Sequence, residues 1–107
     1  MNASFSREAL RLAREARHGP ELQERFSAAA VAICGLGGLG SNLALCLARA
    51  GVGQLHLIDF DRVDLSNLHR QQYFIPQLGR PKTEALQDIL AAAAPDVTVT
   101  ILSLIHI

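Results

Sequence analysis

The spacing of apolar residues changes several times along the chain, and the changes mark its elements. From Ser6 to Arg17, Leu10, Ala13 and Arg14 fall near one face at helical spacing, with arginines on the others. Gly19-Pro20 breaks this helix. Pro20 suits the first turn of a second short helix, with Glu21 near its positive dipole end, running to about Ser27. Ala30–Cys34 is an apolar run of strand length. Ser41–Arg49 returns to helical spacing, and Gly51 follows where a left-handed C-cap is expected. Gln54–Ile58 reads as a second strand. Pro81 opens another helix with Leu86, Ile89, Leu90 and Ala93 on its apolar side, and Pro95 ends it. Val97, Val99 and Ile101 alternate with Thr98 and Thr100, the pattern of a third strand.

Asp59 to Pro76 is a long polar connection, with a short helical turn expected at Ser66–Gln72. Connections of this length are frequently functional. The order predicts an α/β fold: a Rossmann-like, doubly wound, mostly parallel sheet of which the N-terminal βαβαβ half is present, preceded by two short helices. Residues 1–29 form the helical segment and 30–102 the nucleotide-binding half-domain. Residues 103–107 break the alternation and are a candidate non-native tail. The first strand of such a sheet is central and needs a later strand on its second edge, so the sequence reads as a fragment of a larger protein, inactive by itself.

Composition narrows the class. A chain of 107 residues, 50% apolar and 19% charged, is expected to be one soluble globular domain at most. Ten basic and ten acidic residues cancel, so neither a nucleic-acid footprint nor a membrane-surface patch is expected. No apolar run approaches the ~20 residues of a membrane span, and no signal sequence is apparent, which makes the cytoplasm the expected compartment. Cys34 and Cys46 supply no disulfide framework and no metal set; both are expected as small buried core residues.

The chemistry starts at Gly35-Leu36-Gly37-Gly38-Leu39-Gly40, which lies between a predicted strand and a predicted helix. There Gly35 permits a tight turn, Gly37 lets a phosphate approach the backbone, Gly40 lets helix pack on strand, and Gly38 adds a second residue without a side chain. Asp59 ends the second strand at the distance where a ribose-binding acid sits; Asp61 can face the nucleotide or solvent. The motif alone serves NAD, FAD or ATP. A dehydrogenase normally passes from this acid straight into a crossover. Here the loop instead carries Asn67, Arg70, Gln71 and Gln72, and Lys82 opens the next helix. Arg70 can fork onto phosphate oxygens, Asn67 can hydrogen-bond phosphate or ribose, and Lys82 can set a point charge against a triphosphate. Each alone is ordinary surface polarity; together they suit a triphosphate better than a dinucleotide. An NAD-dependent oxidoreductase and a non-catalytic nucleotide-binding protein remain alternatives.

The run Gly35–Asn42, Ala50-Gly51-Val52-Gly53, Asp59-Phe60-Asp61, Ser66–Gln71 and Pro81-Lys82-Thr83 resembles the adenylation core of the E1-like ThiF/MoeB/HesA adenylyltransferase family over about Arg17 to Val99. Arg17–Gln23 and Gln71-Gln72-Tyr73 are most similar to its short ThiF family 2 branch, associated with thiamine biosynthesis. The resemblance implies ATP-dependent adenylation of the C-terminal carboxylate of a small β-grasp sulfur-carrier protein ending in Gly-Gly, with Mg2+ as charge-neutralising ion and a homodimer as the assembly. It implies that Gly38 touches the phosphates, Asp59 holds the ribose, Asn67, Arg70 and Lys82 bind and polarise the triphosphate, and Gln71 supports their loop. An N-terminal arginine reaching a partner's ATP would be Arg17, or else Arg25. No metal ligand is assigned within this sequence. A related branch that modifies tRNA through ATP shares this core.

Overall fold

The computed structural model describes residues 6–105. The Ser6 hydroxyl accepts the Ala9 N–H at 3.0 Å and so caps the first helix, α1 (Arg7–His18). Gly19, at φ +88°, swings the chain into α2 (Pro20–Ala28), with Pro20 in its first turn. Strand β1 (Ala30–Cys34), helix α3 (Gly38–Ala50), strand β2 (Gln54–Asp59), helix α4 (Lys82–Ala93) and strand β3 (Thr98–Ser103) follow. All three strands are parallel, in the order β1-β2-β3, with rows such as Ala32–His56–Thr100 in register. The α/β, Rossmann-like half-sheet behind two short helices is the fold that the sequence predicts.

One face of the sheet carries the core. Ile33, Leu55 and Leu57 are buried there with Ala44 and Ala48 of α3 and Leu86 and Leu90 of α4. Period-2 alternation turns the other residues of each strand away from these helices. On that open face Ala30, Ala32, Cys34, Thr98, Thr100 and Leu102 are exposed, and His56 is half-buried beside Thr100, with which its ring hydrogen-bonds.

This arrangement corrects the expectation for the cysteines. Cys34 is exposed because its strand position faces the uncovered side. Cys46 is exposed because Ser41, Ala44, Leu45 and Ala48 define the inward stripe of α3, and Cys46 falls outside it. Helix α3 begins at Gly38 rather than Ser41, since the last glycines of the turn form its first turn. Strand β3 starts at Thr98 rather than Val97 and continues through Ser103, which pairs with Asp59, so the boundary after Leu102 falls inside a strand. The end of the candidate tail, residues 106 and 107, lies outside the described residues. The turn expected at Ser66–Gln72 is a shorter 3-10 turn, Leu65–Asn67, capped by the Asp64 side chain, and a second one follows at Ile75–Gln77.

Helices α1 and α2 sit at the N-terminal edge of the sheet. Arg14 pairs with Asp96 at 2.5 Å and donates to the Arg49 carbonyl at 3.2 Å, which ties α1 to the C-terminal end of α3. The Gly53 N–H bonds the Phe26 carbonyl at 2.9 Å. Gly51 takes the left-handed C-cap expected of it, at φ +93°. His18 contacts Gln23 at 2.7 Å and packs edge-on against Phe26, a structural role. Among the described residues no helix is long and apolar enough to cross a membrane.

Candidate nucleotide site

The site lies at the opposite edge, where β1 ends. The Gly35 N–H extends the ladder to the Ile58 carbonyl at 2.9 Å, and Gly35 then turns the chain at φ +97°, a conformation only glycine adopts without strain. Leu36 drives its side chain fully into the core and is held from two sides. Its N–H donates to Asp59 Oδ2 at 2.6 Å, and its carbonyl accepts the Tyr73 hydroxyl at 2.7 Å. Gly37 is the N-cap residue of α3 and makes no side-chain cap, so it leaves the first amides of the helix, at the positive end of its dipole, without the partner a capping side chain would supply.

The loop after β2 is laid over this helix end. Asn42 donates to the carbonyls of Gly38 at 2.5 Å and Arg70 at 3.2 Å, and it accepts from the Gln72 side chain. Ser41 donates to the Gly37 carbonyl at 2.5 Å and accepts from the Gln72 N–H at 3.4 Å. The Asn67 carbonyl receives the N–H groups of Arg70 and Gln71, at 3.3 and 3.1 Å, and so shapes the turn that aims both side chains. Arg70 Nη1 stands 2.8 Å from where a Cβ on Gly38 would be, and among the described residues the guanidinium pairs with no carboxylate. Gln71 is buried with its Nε2 3.8 Å from the corresponding point on Gly37, while its Oε1 has no hydrogen-bond partner. A buried acceptor without a partner is costly unless something else supplies a donor.

Asp59 is nearly buried and already engaged: its second oxygen accepts the Asp61 N–H at 2.6 Å. In this structure it braces the turn, and each oxygen retains a lone pair for a ribose hydroxyl. Lys82 is 5% exposed, with its N–H on the Asp61 carbonyl at 3.0 Å and its ammonium 3.9 Å from the half-exposed Asp61 carboxylate. An ammonium buried with one distant partner is favourable only if a stronger anion completes it. Burial, reinforced by the Asp59 charge, pushes the Tyr73 phenol well above its ordinary pKa.

The structure therefore brings Gly35, Gly37, Gly38, Gly40, Asp59, Asn67, Arg70 and Gln71 together around one turn, with Asp61 and Lys82 joined to it through Asp59. It does not bring Arg17 there. Arg17 is exposed at the end of α1, in a groove shared with Arg49, Ala50 and Ala93, a length of α3 or about 18 Å from Gly38. Arg25 pairs with Glu21 on α2 at 3.5 Å. Sequence reasoning gave no role to Ser41, Asn42, Gln72 or Tyr73. Three of these follow or precede motif residues directly, but the bonds that tie the loop to the helix end span at least 28 residues and no pattern announces them.

The glycine turn, the acid at the end of β2 and the cationic loop match one family profile, that of the ThiF family, across residues 9–104. The chain belongs to the ThiF family. It is 48% identical over 81 residues to the molybdopterin-synthase adenylyltransferase of Salmonella typhimurium and 47% identical over 81 residues to the sulfur carrier protein ThiS adenylyltransferase of Escherichia coli. Each match covers 75% of this chain and 32% of the relative, so the chain spans about a third of these relatives' length. The E. coli tRNA N6-threonylcarbamoyladenosine dehydratase TcdA, in complex with ATP, superposes with a TM-score of 0.84 at 28% identity, over 94% of this chain and 42% of that one.

Proposed function

We propose that the turn between β1 and α3 binds ATP, and that the protein adenylates the C-terminal carboxylate of a small sulfur-carrier protein. The observation that carries this reading is Arg70, a guanidinium that pairs with no carboxylate among the described residues and is set directly over Gly38, which has no side chain of its own. Gly37 and Gly38 admit the phosphates to the helix N-terminus, Asp59 accepts from the ribose, and Asn67 holds the turn that aims Arg70 and Gln71. Lys82 completes its charge on the triphosphate. A carrier carboxylate oxygen attacks the α-phosphorus, the bond to the bridging oxygen breaks and pyrophosphate departs with its electrons. The chain's own contribution is positioning and charge stabilisation.

The relatives support this reading: one is a sulfur carrier protein adenylyltransferase, one a molybdopterin-synthase adenylyltransferase, and a neighbour of the same fold holds ATP. Thiamine biosynthesis, a carrier ending in Gly-Gly, a cytoplasmic setting and a homodimer in which Arg17 serves the partner's nucleotide belong to the proposal. Mg2+ enters only as the counter-ion of ATP; among the described residues no three acidic, histidine or cysteine side chains gather to cage a metal, and no step is assigned to one. An NAD-dependent reaction would leave Arg70 and Lys82 without a task.

Carrier-dependent ATP–pyrophosphate exchange by the whole protein tests the proposal. Arg70→Ala is expected to reduce it by roughly a hundredfold, the usual effect of removing one charge-stabilising donor. Undiminished exchange in that variant removes Arg70 from the mechanism. Exchange that needs tRNA instead of a carrier would place the protein with TcdA-like enzymes.

A further inference from the structure

Tyr73 is 5% exposed, lies two residues beyond Gln71, and spends its only hydroxyl on the Leu36 carbonyl at 2.7 Å, in the middle of the glycine turn. The Leu36 N–H is simultaneously fixed by Asp59, so the peptide units that flank the phosphate position are clamped from two elements. The same hydroxyl anchors the far end of the loop that sets Arg70 over Gly38 and Gln71 beside Gly37. We infer that Tyr73 is a positioning residue for the nucleotide: a strut that holds the cationic loop and the glycine turn in one fixed relation, so that the Arg70 guanidinium and the helix amides meet the same phosphates.

The inference rests on the nucleotide reading of the turn. A strut of this kind lowers the cost of ordering two segments when ligand binds, which is how preorganisation raises affinity. Its neutral phenol is also well suited to the task, since burial beside the Asp59 charge disfavours ionisation.

Tyr73→Phe keeps the ring and removes the bond. Calorimetric titration with ATP is expected to show about fivefold weaker binding, the equivalent of one hydrogen bond of ordinary net strength. Val52→Ala, a buried change at the other end of α3, serves as the control: it lowers the Tm while ATP affinity stays within about twofold. Tyr73 is the chain's one tyrosine and there is no tryptophan, so its emission reports the strut alone. In the wild-type protein ATP is expected to change that emission; this readout holds even if the phenylalanine variant folds poorly. Wild-type affinity in Tyr73→Phe, or emission indifferent to bound ATP, overturns the inference. Failure of the wild-type protein to bind ATP overturns the site reading itself, and the inference with it.

Discussion

Gly40 faces Gly35 so closely that a methyl group on Gly40 would interpenetrate the Gly35 carbonyl oxygen. The contact joins the first turn of α3 to the end of β1, and both sides of it are backbone. Neither side can yield as a flexible side chain would. Gly40→Ala is therefore expected to cost about 3 kcal/mol of stability, the upper range for overpacking. Urea unfolding followed by circular dichroism measures it; a midpoint equal to wild type contradicts the packing described.

Gly38 predicts the opposite balance. A Cβ there meets Arg70 Nη1, the mobile end of a long side chain, at 2.8 Å. Gly38→Ala is expected to keep or slightly raise stability, because alanine is the better helix former. ATP affinity should fall by about tenfold or more as Arg70 is displaced and the phosphate path narrows. Melting temperature and ATP titration on one preparation separate the two effects.

Asp59→Asn tests the brace. The carboxylate accepts backbone N–H groups from Leu36 and Asp61, both at 2.6 Å. An amide offers one oxygen, so one buried N–H is left facing a donor, at a cost of about 1–3 kcal/mol. Amide exchange at Leu36 and Asp61 should accelerate in the variant; protection at wild-type levels at both positions rules the brace out.

Alkaline pH provides a further check on Tyr73. Its pKa is raised in the folded state, so its contribution to stability is complete below the ordinary tyrosine value, roughly pH 10, and is lost as pH rises through the folded value. The stability advantage of wild type over Tyr73→Phe should therefore be constant from pH 7 to about 9 and shrink above roughly pH 10. Urea midpoints of both proteins across this range would show parallel curves if the phenol were in an ordinary environment.

The elements were legible because each rests on local chemistry. Pro20 in a first helical turn, Gly51 as a left-handed terminator, Pro95 as a helix stop and the alternation from Val97 onward are all short-range signals. Two of the glycine turn's roles could be read the same way: Gly35 has the positive φ and Gly40 the close approach. The cysteines failed because local hydrophobicity does not report which face of a sheet, for Cys34, or of a helix, for Cys46, is covered. The burial of Lys82 is likewise a tertiary outcome: a lysine at a helix start looks solvated until the Asp61 backbone and carboxylate meet it.

The sequence by itself determined the order of elements, the parallel half-sheet they build and the candidate phosphate turn, since period, capping and glycine geometry act within a few residues. Tertiary structure alone decided that Arg70 stands over Gly38 and Gln71 beside Gly37, that Tyr73 and Asp59 clamp Leu36 from opposite sides, and that Arg17 lies at the far edge of the sheet. Those relationships join segments 23 to 37 residues apart, and they exist only once the parallel strands carry both connecting loops to the same edge.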